Sequence, residues 1–216
     1  INICLTMSNY QLFQNDLPLK SLKSFKGDIT IDTETLGLNI KRDRLCLIQL
    51  RNESNKKVYL IKFDKDISPA NSKNIKTLLE DKSLTKIFHY ARFDMAVLKE
   101  NLNINVRNVF CTKIASKLTR TYSSKHGLKD LVKEILNIEL DKTEQTSDWS
   151  QKKLTKQQIQ YAMNDVIYLS DLKKNLEAKL LEAKRLKTFK SIMNFLDTRV
   201  ELDLMGWENT DIFAHK

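Results

Sequence analysis

The stretch Ile29-Thr30-Ile31-Asp32-Thr33-Glu34-Thr35-Leu36-Gly37-Leu38 is an apolar run that ends in two carboxylates one residue apart. It reads as a strand, and successive strand side chains point to opposite faces, so Asp32 and Glu34 share a face at the strand's end. Two like charges placed there repel. A divalent cation with a preference for hard oxygen ligands, Mg²⁺ or Mn²⁺, cancels that repulsion. A solvated strand end is the plain alternative for a single D-x-E, so the reading turns on whether further carboxylates join the pair.

Outward from this strand, the pattern is a sheet followed by helices. Residues 1 to 27 are expected to supply an edge strand and a loop closing at Gly27. Strand-like runs at Asp28 to Thr33, Leu45 to Arg51 and Lys57 to Ile61 are separated by turn-length polar stretches, which predicts an antiparallel meander. A helix over Asn71 to Glu80, a strand over Lys86 to His89 and a helix over Arg92 to Leu102 follow. A strand over Val106 to Phe110 and a helix over Cys111 to Leu118 come next, and strands joined through helices imply parallel additions to the sheet. From Leu128 onward only helical spacing remains: a short helix through Ile135, a longer one opened by the capping-box pattern Thr155-Lys156-Gln157-Gln158, and a last one over Leu186 to Leu204. The fold class is α/β, a mixed sheet flanked by helices with a helical C-terminal half, read as one domain over residues 1–216.

Composition narrows the partners. The 37 Lys and Arg against 27 Asp and Glu give a net charge of +10, which suits a polyanion such as nucleic acid. Residues 173 to 190 hold seven basic side chains against two acids, and such a run on a helix reads first as a solvated face. Cys4, Cys46 and Cys111 are odd in number and never in C-x-x-C spacing, so neither a disulfide partner nor a zinc site is expected. No apolar run approaches the ~18 residues of a membrane span. With no signal-like opening, a cytoplasmic location is expected.

Two later stretches supply the partner carboxylates. His89-Tyr90-Ala91-Arg92-Phe93-Asp94 places an acid just past a strand, in the first turn of a helix. In Tyr161-Ala162-Met163-Asn164-Asp165 a phenol and a carboxylate lie four apart on a helix and so on one face, while Ile159, Ala162 and Ile167 mark that helix as half-buried. A Tyr and an Asp aimed inward need a polar destination.

D-x-E on a strand, Asp after a strand and Y-x-x-x-D on a late helix resemble, in that order, the DEDDy 3′-to-5′ exonucleases, and ribonuclease D in particular. The stretches Arg42-Asp43-Arg44-Leu45-Cys46-Leu47-Ile48-Gln49-Leu50 and Leu140-Asp141-Lys142-Thr143-Glu144-Gln145-Thr146-Ser147-Asp148-Trp149 are similar to segments of that family, as is the tail from Leu202 to Trp207 and Asp211 to His215. The resemblance implies a ribonuclease H-like fold in a compact form without the C-terminal helical domains of longer members. It implies that Asp32, Glu34, Asp94 and Asp165 hold two Mg²⁺ or Mn²⁺ ions, with Asp32 bridging, Glu34 and Asp165 on the nucleophile side and Asp94 on the other ion, while Tyr161 orients the attacking water. Thr33 and Leu36 would meet the terminal nucleotide and His89 and Phe93 the penultimate one, with Gln145 and Trp149 in a family signature beside them. The expected activity is 3′-to-5′ hydrolysis of single-stranded RNA ends to 5′-mononucleotides. A DNA or dual-substrate exonuclease is the near alternative, and a non-catalytic nucleic-acid-binding module the one of another class.

Overall fold

The computed structural model describes residues 10–140, 144 and 146–215. The strands β1 (Tyr10–Gln14), β2 (Asp28–Thr35), β3 (Leu45–Asn52), β4 (Val58–Lys62), β5 (Thr85–Phe88) and β6 (Val109–Cys111) form one sheet in the order β1-β4-β3-β2-β5-β6. β2, β3 and β4 are the antiparallel meander that the polar turns predicted. β5 and β6 add in parallel beyond β2, and β1 lies parallel to β4 at the other edge. The carboxylate-bearing strand is therefore central, flanked on both sides, and its end is the part open to a ligand.

Among the described residues there are eight α-helices: α1 (Leu19–Leu22), α2 (Lys73–Glu80), α3 (Ala91–Leu102), α4 (Thr112–Thr119), α5 (Leu128–Leu136), α6 (Lys156–Ile167), α7 (Leu169–Glu182) and α8 (Leu186–Leu202). Strand alternation sorts the core onto two faces. Ile29, Ile31, Ile48, Leu50 and Ile61 point to one side and pack with α2, α3 and the end of α8. Leu47, Val58 and Leu60 point to the other and pack with Ile159, Ala162, Met163 and Val166 of α6. Each such fully buried aliphatic side chain is worth about 1.5–3 kcal/mol relative to exposure. A third cluster, with Ile87, Phe110, Leu131 and Leu176, seats α5 and α7 beside β5 and β6.

A short helix, α1, stands in the expected loop before Gly27, and three further departures from the spacing-based expectation have a visible reason. β6 begins at Val109 rather than Val106, because Asn108 takes a left-handed φ of 55° and the Arg107 N–H is drawn to the Leu79 carbonyl. The helix opened by Thr155 ends at Ile167, whose carbonyl accepts from Arg51 Nη1 at 2.6 Å, and α7 restarts after Tyr168. α8 stops at Leu202, where a turn through Gly206 at φ 105° reverses the chain. The buried Asp203 holds this turn in place, accepting from Arg92 Nε and Nη2 at 2.6 and 2.7 Å and from Arg199 Nη2 at 2.7 Å. Cys46 and Cys111 are buried free thiols. Among the described residues no helix is long and apolar enough to cross a membrane.

Candidate active site

The face of β2 that carries Asp32 and Glu34 is the α6 face, since Ile29 and Ile31 take the other. Asp165 hangs from α6 over the same strand end. Asp32, Glu34 and Asp165 each offer a carboxylate oxygen, all within 4.8 Å of one another. Gln49, directly across from Asp32 on β3, donates to Glu34 Oε1 at 3.3 Å and orients it. Sequence reasoning missed Gln49 as a site residue, although a lone amide inside the apolar run Leu47-Ile48-Gln49-Leu50 is the signal that would have found it.

Asp94 arrives from the opposite side of the sheet. Thr33 points to the α3 face, and its Oγ1 donates to Asp94 Oδ1 at 2.7 Å in a fully buried bond. Three of the four expected acids therefore share one ligand set, and the fourth, held by Thr33, lies next to Asp32. It still acts electrostatically: burial first, then the charges of Asp94, Asp165 and Glu34, raise the pKa of Asp32 well above the usual carboxylate range. Burial and then the Asp165 and Asp94 charges raise Glu34 in the same way, against the Gln49 hydrogen bond. Burial is the first cause for Asp94 too, which is pushed up to about 7. Carboxylates crowded at this spacing have the donor chemistry of a hard divalent cation site, so the residues fit such an ion.

Tyr161, one turn before Asp165, points into the same cleft. The capping box that starts α6 is present: Thr155 Oγ1 accepts from the Gln158 N–H at 3.1 Å and Gln158 Oε1 accepts from the Thr155 N–H at 2.9 Å. It sets the helix phase that brings Tyr161 and Asp165 to the strand end together. Burial, then the Asp165, Glu34 and Asp32 charges, move the phenol pKa upward, so Tyr161 is a neutral hydroxyl at physiological pH.

The cleft around these groups has a volume of about 560 Å³. Leu36 is 50 % exposed at its rim, and Leu38 beyond it 84 %. Gly37 between them has no room for a Cβ, because the Asp43 carboxyl lies against it and is itself fixed by the Asn39 N–H at 3.0 Å and by Arg42. His89 and Phe93 also line the cleft, and His89 Nδ1 lies 2.9 Å from Thr112 Oγ1. Trp149 lines it from within the wall, 2 % exposed, with its ring centroid 5.9 Å from that of Tyr161. Gln145 lies outside the described residues. Sequence reasoning also missed Tyr90 and Lys113. Tyr90 holds a left-handed φ of 74° before α3, and Lys113 Nζ sits 4.2 Å above its ring. Neither shows a pattern in sequence: Tyr90 enters the cleft through the left-handed turn before α3, and Lys113 through the first turn of α4.

A family described as 3′-5′ exonuclease matches residues 11–181. The chain belongs to the 3′-5′ exonuclease family. Within it, ribonuclease D of Desulfotalea psychrophila is 31 % identical over 178 residues, which cover 81 % of this chain and 46 % of that protein. The chain thus spans less than half the length of that curated relative. Among solved structures, Brucella melitensis NrnC bound to pGG is 44 % identical with a TM-score of 0.90, covering 96 % of this chain and 99 % of that one. The same nuclease with bound Mg²⁺ is 43 % identical with a TM-score of 0.87, covering 96 % of this chain and 100 % of that one. The exonuclease match includes β2, α3 and α6, the three elements that carry the acids.

Proposed function

We propose that this chain is a metal-dependent 3′-to-5′ exonuclease that removes 5′-mononucleotides from single-stranded RNA ends. The observation that carries it is the meeting of Asp32, Glu34 and Asp165 within 4.8 Å at the floor of a cleft that also holds Tyr161. Asp32, Glu34, Asp94 and Asp165 would hold divalent ions, with Glu34 and Asp165 on the nucleophile side of Asp32 and Asp94 on the other; two Mg²⁺ or Mn²⁺ ions would supply charge neutralisation for attacking and leaving oxygens. The bond made is from a water oxygen to phosphorus, and the bond broken is from phosphorus to the O3′ of the penultimate nucleotide. Tyr161, a neutral phenol, orients that water rather than deprotonating it. Leu36 at the rim packs on the terminal base, and Phe93 and His89 meet the next one. Stacking of this kind tolerates any base. The sheet takes its cover from helices spread between Leu19 and Leu202, which supports reading residues 1–216 as one exonuclease domain.

The pGG bound by NrnC supports a second reading, in which short oligonucleotides are the substrate. A time course separates the two. A 3′-tailed RNA, the matching DNA and pGG are incubated with Mg²⁺, with Mn²⁺ and with chelator, and Asp32→Ala serves as control. A metal-dependent ladder shrinking from the RNA 3′ end, absent in the variant, is the expected result. Turnover of pGG with the long strands untouched would select the second reading, faster loss of the DNA strand would select a DNA exonuclease, and no cleavage of any substrate would leave a binding module.

A further inference from the structure

Residues 146–150, which line the cleft across from β2, belong to no strand or helix, yet three contacts fix them. Gln158, 1 % exposed, already caps α6 through its Oε1, and its Nε2 donates to Ser147 Oγ at 2.7 Å and to the Asp148 carbonyl at 3.0 Å. Lys62 is a buried lysine on β4 that points to the α6 face, and its Nζ donates to the Trp149 carbonyl at 3.3 Å. A buried ammonium is costly unless its protons find acceptors, so this lysine ties the loop backbone to the sheet. The third contact is the Trp149 ring itself, which packs in the α6 core cluster with Leu47 and Leu60 and meets Tyr161 at an interplanar angle of 43°.

The indole N–H shows which part of Trp149 matters. It is buried and meets no acceptor among the described residues, so the side chain is held by packing and by its backbone. Its one polar atom contributes nothing visible to that hold. We propose that Trp149 is a positioning residue for Tyr161, and that Lys62 and Gln158 act through it. The inference rests on the exonuclease reading, in which the Tyr161 hydroxyl orients the attacking water. Gln158 and Tyr161 are three apart on α6, hence on one side of the helix, so the loop and the phenol move as a unit. Loss of the Trp149 ring would remove the wall against the Tyr161 ring while its hydroxyl still bonds Asp165, letting the hydroxyl shift along with that bond, and placement errors of about 1 Å in such a group lower turnover by up to about 100-fold.

The test is a set of variants, Trp149→Phe, Trp149→Leu, Lys62→Met, Tyr161→Phe and the pairings of the middle two with Tyr161→Phe. Trp149→Phe keeps a ring and is expected within about threefold of wild type. Trp149→Leu should lower kcat roughly 10- to 100-fold with KM little changed, and Lys62→Met by a smaller factor. Neither should lower kcat further once Tyr161 is Phe, since residues acting as a unit are not additive. A multiplicative loss in the double variant, or a rise in KM at constant kcat, would overturn the proposal. A readout independent of hydrolysis is the 3-fluorotyrosine resonance of Tyr161, assigned by its disappearance in Tyr161→Phe. It should stay a single sharp line in Trp149→Phe and broaden or split in Trp149→Leu and Lys62→Met. If Trp149→Leu does not fold, the Lys62→Met spectrum and kcat decide the matter. An unchanged line in the folded variants refutes positioning, whereas an inactive wild type with the expected spectra refutes the exonuclease reading alone.

Discussion

Replacing Asp165 by Asn should make the metal-free protein more stable and cut its response to Mg²⁺ to a small fraction. Asn keeps the shape of the side chain and deletes one of three charges whose oxygens lie within 4.8 Å of one another. At that spacing, with an effective dielectric near 20, a fully ionised pair repels by roughly 3–4 kcal/mol. Part of this is already relieved, because the raised proton affinities of Asp32 and Glu34 let the cluster keep protons. A net gain of about 1–3 kcal/mol remains. For a chain of this length each kcal/mol moves Tm by about 2–4 °C, so the unfolding midpoint should rise by about 2–12 °C. Thermal unfolding at pH 8 in chelator measures it. Mg²⁺ at about a hundredfold over its Kd should then stabilise wild type by about 2.7 kcal/mol and Asp165→Asn by a small fraction of that. A variant less stable than wild type in chelator, or one that keeps the full Mg²⁺ shift, would refute the crowded-carboxylate account.

The same cluster sets a pH dependence. The Asp94 carboxyl, raised from 3.8 to about 7, binds more protons folded than unfolded, so in chelator its contribution to stability is full below about pH 4 and lost by about pH 7; unfolding midpoints that rise across this window would contradict it. Gly37→Ala must push the Asp43 carboxyl away and shift the Leu36 rim, which should cut kcat/KM several-fold while the Mg²⁺ concentration for half-maximal rate stays put; an unchanged kcat/KM removes the rim from the substrate path. Asp203→Asn leaves the Arg92 and Arg199 guanidinium groups facing a neutral amide and should destabilise the protein by about 3 kcal/mol, read as a drop in denaturant midpoint at constant slope. Lys179 and Lys187 lie on the solvent side of α7 and α8, whose Leu172, Leu176, Leu180 and Phe189 face the core, and Lys184 lies in the exposed turn between them, so neutralising all three should leave the salt slope of oligonucleotide binding unchanged; a slope reduced by two or more would place them on the phosphate track.

Periodicity along the chain determined much of this protein. Alternation put Asp32 and Glu34 on one face, four-residue spacing put Tyr161 and Asp165 on another, and the Thr155–Gln158 pattern started α6 where the capping box now stands. These are statements about direction relative to an element's own axis, which local geometry settles. What the sequence could not determine is which faces meet. Only tertiary packing decided that Asp165 descends onto the α6 face of β2 while Asp94 approaches from the α3 face and is held by Thr33. The same packing buried Trp149 against Tyr161, recruited Gln49 and Lys62 from neighbouring strands, and brought Tyr90 and Lys113 to the cleft. The physical reason is that hydrophobic burial is non-directional: it commits Leu47, Leu60 and Ile159 to a core, and only the assembled sheet and helices fix which partners, and so which polar neighbours, share it.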